Sequence, residues 1–406
     1  MTATRDRPFV DLADPESFRA GVPHAYFDWL REHDPCAYHP EPAGPGFHAI
    51  TRWADAGAVL KDAATFSSAR GGAFLDELPP EELAMFRRMM LHMDPPQHLQ
   101  RRQLISRGFT PRRVDAMADQ IRAHARDLVD RLAGRAEVEV VAEAAADLPL
   151  LVLAELLGVP VADRGQLFAW TNRLIGQRDP TVGSRADGQR ALAEFLAYMR
   201  TIAERRRAEP RDDLVSVLVH AEEAGQRLDA VDLDMFWFLL LIAGNETTRN
   251  LITGGLIALA ETPGGWQRLR AEPARIPDAV EEMLRFVSPV MQFRRTLTHD
   301  AEVAGRALAA GAKVVVYYGA ANRDPRVFAR PHEFDPDRQP NPHLAFGIGP
   351  HSCLGASLAR LEARCFFEEL LARAEAIELA APPQRLASNF VNGVVRLPVR
   401  VRWARA

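Results

Sequence analysis

The chain has 406 residues, 47% hydrophobic and 26% charged, with a formal net charge of −4. That composition supplies a large apolar core and lacks the basic excess of a nucleic-acid binder. Cys36, Cys353 and Cys365 are odd in number and widely spaced, so no disulfide framework is implied. The N-terminal stretch lacks the apolar core of a signal peptide or membrane anchor, and a cytoplasmic protein is expected.

In chain order, the Pro- and Gly-rich stretch Glu41 to Gly46 reads as a turn before a strand at 47–51. Helical periodicity then dominates, at 53–61, 80–90, 97–107, 112–133, 142–156, 162–175, 185–207, 211–222, 230–261, 275–286 and 354–373. Strand signals interrupt it at 137–141, 294–298, 313–318 and 396–403, most clearly in Val314-Val315-Val316-Tyr317-Tyr318. The longest apolar run, Met235 to Ala243, is too short to span a bilayer. The expected fold is mainly α with a minor β portion, in a single domain over 1–406.

Four constellations carry chemistry. His98 and Arg102 stand four apart, so one helical face presents both. Ala243-Gly244-Asn245-Glu246-Thr247-Thr248 puts an acid and hydroxyls inside an apolar helix, where they are locally unfavourable. The Thr247 hydroxyl can bond back to the helix and open it slightly. Glu282 and Arg285, three apart, can pair, which on a surface is common and worth little. Last comes Phe346-Gly347-Ile348-Gly349-Pro350-His351-Ser352-Cys353-Leu354-Gly355. Gly347 and Gly349 allow the positive φ of a tight hairpin. A helix starting just past Cys353 would aim its free amides and positive dipole end at the sulfur, favouring thiolate. A lone cysteine is most often a buried structural thiol. Six fixed positions, each met about one time in twenty by composition, argue against coincidence here.

The frame Phe-Gly-x-Gly-x-His-x-Cys-x-Gly resembles the cysteine loop of the cytochrome P450 family, and the matching motifs run from about His92 to Val399. The resemblance implies a triangular, helix-rich domain with small β-sheets that binds haem b, with Cys353 as the iron ligand. It places Phe346 and Gly355 against the cofactor and gives Ala243 and Gly244 the role of making room for dioxygen. Thr247 and Glu246 would deliver protons. His98, Arg102, Arg295 and His351 would hold the propionates. Glu282, Arg285 and Arg338 would form a structural triad.

The implied activity is insertion of one oxygen atom from O2 into a hydrophobic small molecule, with NAD(P)H electrons arriving through a ferredoxin or flavodoxin. A monomer is expected, with no nucleic-acid partner and no membrane anchor. Asp94-Pro95-Pro96, Ser106 to Arg112, Glu246 to Asn250, Pro340 to His343 and Ser388-Asn389-Phe390 are similar to stretches of actinobacterial hydroxylases of sterols and methyl-branched lipids. A terpenoid, sterol or fatty-acid-like substrate follows. Pocket walls are expected from Phe74, Leu75, Phe86, Met90, Trp170, Leu174, Leu240, Ala243, Val290 to Phe293, Phe390 and Val391, with Gln292 and Asn389 as polar anchors. Two alternatives stand beside this reading. A peroxide-driven peroxygenase of the same fold would tend to lose the Glu246–Thr247 pair, and a haem sensor would have no use for a proton relay.

Overall fold

The computed structural model describes residues 8–42, 44–176, 184–223 and 225–404. The apolar run from Ala230 cannot be left in water, and it becomes the centre of the helical part. Asp229 starts it with a capping box: its side chain accepts from the Asp232 N–H, and the Asp232 carboxylate accepts from the Asp229 N–H. Behind it, Glu246–Glu261 packs on Ile276–Val287 and on Ala356–Arg373, which also contact each other. Ile276–Val287 is strongly amphipathic and buries Ile276, Ala279, Val280, Met283, Leu284 and Val287.

The main sheet has five strands in the order Cys36–His39, Phe47–Ile50, Lys313–Tyr317, Gln292–Leu297, Phe66–Ser67. Lys313–Tyr317 is buried throughout, which explains its unbroken β-branched run. It pairs antiparallel with Gln292–Leu297, Val316 opposite Phe293 and Val314 opposite Arg295. Strand alternation therefore puts Phe293 and Arg295 on one face of that strand, and Gln292 and Arg294 on the other.

Several elements depart from expectation. The helix at 112–133 is two, Pro111–Ala116 and Ala118–Leu132, because the chain tightens at Met117, whose N–H bonds Val114 O. The helix at 211–222 shrinks to Leu214–Val219, and Gly225 at φ +76° turns the chain into a hairpin pairing Glu222–Glu223 with Gln226–Arg227. The helix at 80–90 ends at Phe86 and resumes as a 3-10 turn, Met90–His92. The helix at 230–261 breaks at Asn245. His24–His33, Gly265–Ala271 and Cys36–His39 are elements that the periodicity did not reveal.

Candidate active site

Glycines shape the loop ahead of Ala356–Arg373. Gly347 and Gly349 have φ of +63° and +76°. A Cβ on Gly349 would lie 2.5 Å from Leu60 O, so a side chain is excluded there twice over. The Cys353 N–H donates to Phe346 O at 2.8 Å and closes the hairpin. Cys353 is thereby presented to an open cavity of about 260 Å³. Gly355 also lines it, with no atom within 4 Å of where a Cβ would stand, so that position leaves open a cradle a side chain would fill.

Burial pushes the Cys353 thiol up, opposed by the Gly355 N–H and the guanidiniums of Arg102 and Arg360. Cys353 is exposed to the open cavity, and a cation bound at the sulfur would hold it deprotonated. Among the described residues no group of three or more His, Cys, Asp or Glu could hold a metal ion. An iron bound at Cys353 must therefore bring its other ligands with it, as haem does.

The cavity carries positive charge without matching carboxylates. Arg102 lines it, half-buried, and donates to Ser352 Oγ at 3.2 Å. Arg295 is buried behind, and its guanidinium donates to Arg294 O at 2.7 Å. Neither has a carboxylate within ion-pair distance among the described residues, and desolvation lowers both. His98 and His351 also line the cavity, their rings 4.1 Å apart. Burial depresses both, His98 to about 4, so neither adds charge at neutral pH. His98 Nδ1 has no partner. A buried and a half-buried guanidinium without carboxylate partners, with an orphaned imidazole nitrogen beside them, call for an anion, which fits the two propionates of haem.

The helix break forms another wall. Thr247 Oγ1 donates to Ala243 O at 2.7 Å, and the first helix ends at Gly244. Ala243, Gly244, Thr247 and Thr248 line the cavity, and a Cβ on Gly244 would meet open space. Glu246 is not among the lining residues; it is buried and paired with Arg249 at 3.0 Å. Phe346 lines the cavity with Arg360 stacked 4.6 Å over its ring, while Glu281 takes the same guanidinium at 2.6 and 2.8 Å.

Of the expected pocket residues, Met90, Leu240, Ala243, Val290 and Phe293 line the cavity. Phe74 and Phe390 form a layer behind, packed on Phe293 with centroids at 6.5 and 5.5 Å. Phe86 packs on the His92 ring instead, and Val391 is bridged to Val290. Leu75 and Met291 are core residues under the N-terminal segment. Trp170 and Leu174 also belong to the core, Trp170 against Phe195 and Tyr198. Neither expected polar anchor reaches the cavity: Gln292 is on the other strand face, and Asn389 Nδ2 donates to Ala13 O at 2.7 Å. Residue type does not separate core from wall, which is why these assignments failed. Sequence reasoning also missed Val152, Leu153 and Leu156, whose helix is apolar on every side between Asp147 and Glu155 and gives no sidedness, and Glu362. Glu362 lines the cavity with Oε2 unpartnered, and burial pushes its carboxyl up to about 8, so it is a neutral acid at pH 7.

Residues 185–403 match the sequence profile of the cytochrome P450 family. The chain is 35% identical to a steroid C26-monooxygenase of Rhodococcus jostii over 97% of its own length and 85% of that protein. It is 39% identical to a methyl-branched lipid omega-hydroxylase of Mycobacterium tuberculosis, over 92% of this chain and 90% of the other. A solved Mycobacterium marinum cytochrome P450 in complex with pseudoionone superposes with a TM-score of 0.88 at 37% identity, covering 98% of this chain and 100% of that one.

Proposed function

From the premise that the chain belongs to the cytochrome P450 family and is a haem b monooxygenase, we propose that it hydroxylates an apolar lipid of the sterol, terpenoid or branched fatty-acid class. The observation that supports this reading is the cavity wall: Met90, Leu240, Val290 and Phe293 beside the small Ala243 and Gly244, with no carboxylate or lysine except the neutral Glu362. Such a wall favours a ligand held by desolvation, at about 25 cal/mol per Å² of apolar surface buried. The relatives named for steroid and methyl-branched lipid oxidation support the same class.

Bound at Cys353, the haem supplies dioxygen activation and O–O cleavage. The chain supplies the rest. Arg102, Arg295, His98 and His351 orient the cofactor by its carboxylates. The hairpin fixes the sulfur, and the apolar wall excludes water. Thr247, on the cavity wall at the helix break, would turn its hydroxyl from Ala243 O into the cavity and donate a proton there. Glu246, one residue before and paired with Arg249, would replenish it from solvent once released from that pair. Thr247→Ala should leave ligand affinity nearly unchanged, while the product formed per NAD(P)H consumed falls several-fold and peroxide accumulates. Unchanged coupling would remove Thr247 from proton delivery. Optical titration with sterols, terpenoids and fatty acids tests the substrate class. If only small charged aromatics shift the iron spin state, the proposal fails.

Electrons would arrive from an acidic ferredoxin docking on the cysteine side. Five arginines, Arg107, Arg112, Arg113, Arg360 and Arg364, are the candidates to meet it, and they have different fates. Arg360 is committed to Glu281, Arg364 lies 3.6 Å from Glu368, and Arg113 is 2.5 Å from Asp212. Arg107 donates to Glu222 O at 3.3 Å. Arg112 is exposed with no carboxylate partner among the described residues. Arg112→Glu should slow iron reduction several-fold at low salt and converge with wild type at high salt, leaving substrate titrations unchanged. Equal rates at low salt would move the docking site elsewhere.

A further inference from the structure

One acid on the cavity wall has no part in the steps above. Glu362 lines the cavity from Ala356–Arg373, one turn past Leu358 and Ala359 on the same helical face. It is buried, and its Oε2 has no hydrogen-bond partner. The other two acids of that helix are paired, Glu368 with Arg122 and Glu369 with Arg373, each at 2.6 Å. No cation offsets the burial of Glu362, which keeps its carboxyl protonated at neutral pH. A buried acid with a proton to give and no acceptor is a group that native folds seldom leave unexplained.

Glu246–Glu261 supplies an acceptor. Thr247, Thr248 and Leu251 line the cavity from one face of that helix. Thr248 is buried, and no described residue shares a hydrogen bond with its hydroxyl. The two helices meet at Gly255, where a Cβ would lie 3.1 Å from Phe367 Cζ. Thr248 stands about two turns before Gly255, and Glu362 about a turn and a half before Phe367. Both therefore line the end of the cavity that narrows toward this crossing. Inserting one oxygen atom from O2 takes two electrons and two protons, and the other oxygen atom leaves as water. Glu246 lies off the cavity in its pair with Arg249, whereas Glu362 meets the cavity with a carboxyl poised near the operating pH.

We propose that Glu362 is an internal proton store for oxygen insertion, and that its carboxyl proton passes by way of the Thr248 hydroxyl. The O–H bond of the acid breaks as one forms at Thr248 Oγ1, directly or across a bound water. Thr248 gives up its own proton in turn to the oxygen atom that departs as water. The carboxylate left behind regains a proton from solvent between turnovers. This rests on the monooxygenase reading of the cavity, and adds to it a second acid beside Glu246.

The test combines a spectrum with a cycle of two changes on the haem-loaded protein at pH 7. Wild type should show the infrared carbonyl stretch of a protonated carboxylic acid that Glu362→Gln lacks. Thr248→Val, which removes the acceptor, should shift that band. The substrate for turnover is the sterol, terpenoid or fatty acid that gives the largest spin-state shift. Product per NAD(P)H consumed should fall several-fold in Glu362→Gln, with substrate titrations unchanged and a larger slowing of turnover in D2O. Glu362→Asp, which keeps an acid, should recover part of the coupling. Thr248→Val should lose as much as Glu362→Gln, and the double variant no more than either, because both lie on one route. Additive losses overturn the proposal, as does unchanged coupling in either single variant. A structural role would instead lower haem content and leave coupling per haem unchanged, which also overturns it. If Glu362→Gln does not fold, the band decides: its absence from wild type, or its failure to move in Thr248→Val, refutes the proton store. Absence of a thiolate-type carbon monoxide spectrum in wild type would instead strike the haem reading itself.

Discussion

Cys353→Ala abolishes monooxygenation while the surrounding fold persists. The expected loss is complete because the thiolate is what drives O–O cleavage, and among the described residues no cluster of metal-binding side chains offers a substitute. The fold should survive because the hairpin is set by the backbone, through the positive φ of Gly347 and Gly349 and the bond from the residue-353 N–H to Phe346 O. Alanine keeps that N–H. Reduced wild type under carbon monoxide should show the red-shifted Soret band of thiolate ligation, and the alanine variant should lose it. Cys353→His should give an imidazole-type band and no hydroxylation. An imidazole-type band from folded wild type would refute the ligand assignment.

The second large effect lies away from the cavity. Glu282 takes Arg285 in two hydrogen bonds of 2.7 Å and Arg338 in two of 3.1 Å, with Glu282 and Arg285 wholly buried. Arg285 also donates to Asn322 O, Pro331 O and Glu333 O at 2.9, 2.8 and 3.0 Å. Arg338 donates to Ala329 O at 2.5 Å, so the two guanidiniums bind together the stretch that leads into the cysteine hairpin. Glu282→Ala leaves both cations buried without a counter-charge and should cost about 3–5 kcal/mol. Arg285→Lys should not rescue it, since an ammonium cannot reproduce the planar fork. Urea midpoints and haem content of the purified variants check this. A shift under about 1 kcal/mol would show the triad to be dispensable.

Much of this protein is legible along the chain. The cysteine hairpin is local: glycine conformation, the following helix and the sulfur lie within ten residues, so their spacing alone identifies the loop. The same holds for Thr247 and Ala243, four apart and joined by a hydrogen bond across the helix break at Asn245. Glu282 and Arg285 are legible as a pair for the same reason. Their burial is not, because it depends on Arg338 and on carbonyls some 37 to 48 residues downstream.

Only the tertiary structure decided which apolar residues face the cavity and which polar ones are left over. Trp170 and Val152 look equivalent in sequence and are buried in the same core, yet only Val152 also lines the cavity, because hydrophobicity records exclusion from water and not what excludes it. Gln292 and Phe293 are separated by strand alternation once the register against Val316 and Tyr317 is fixed. Arg295 becomes an unpaired cation, and Glu362 an unpaired acid, only when distant segments close around them and remove the water that would have served both. A sequence states what each side chain can offer; whether the offer is taken up depends on neighbours brought together from across the chain.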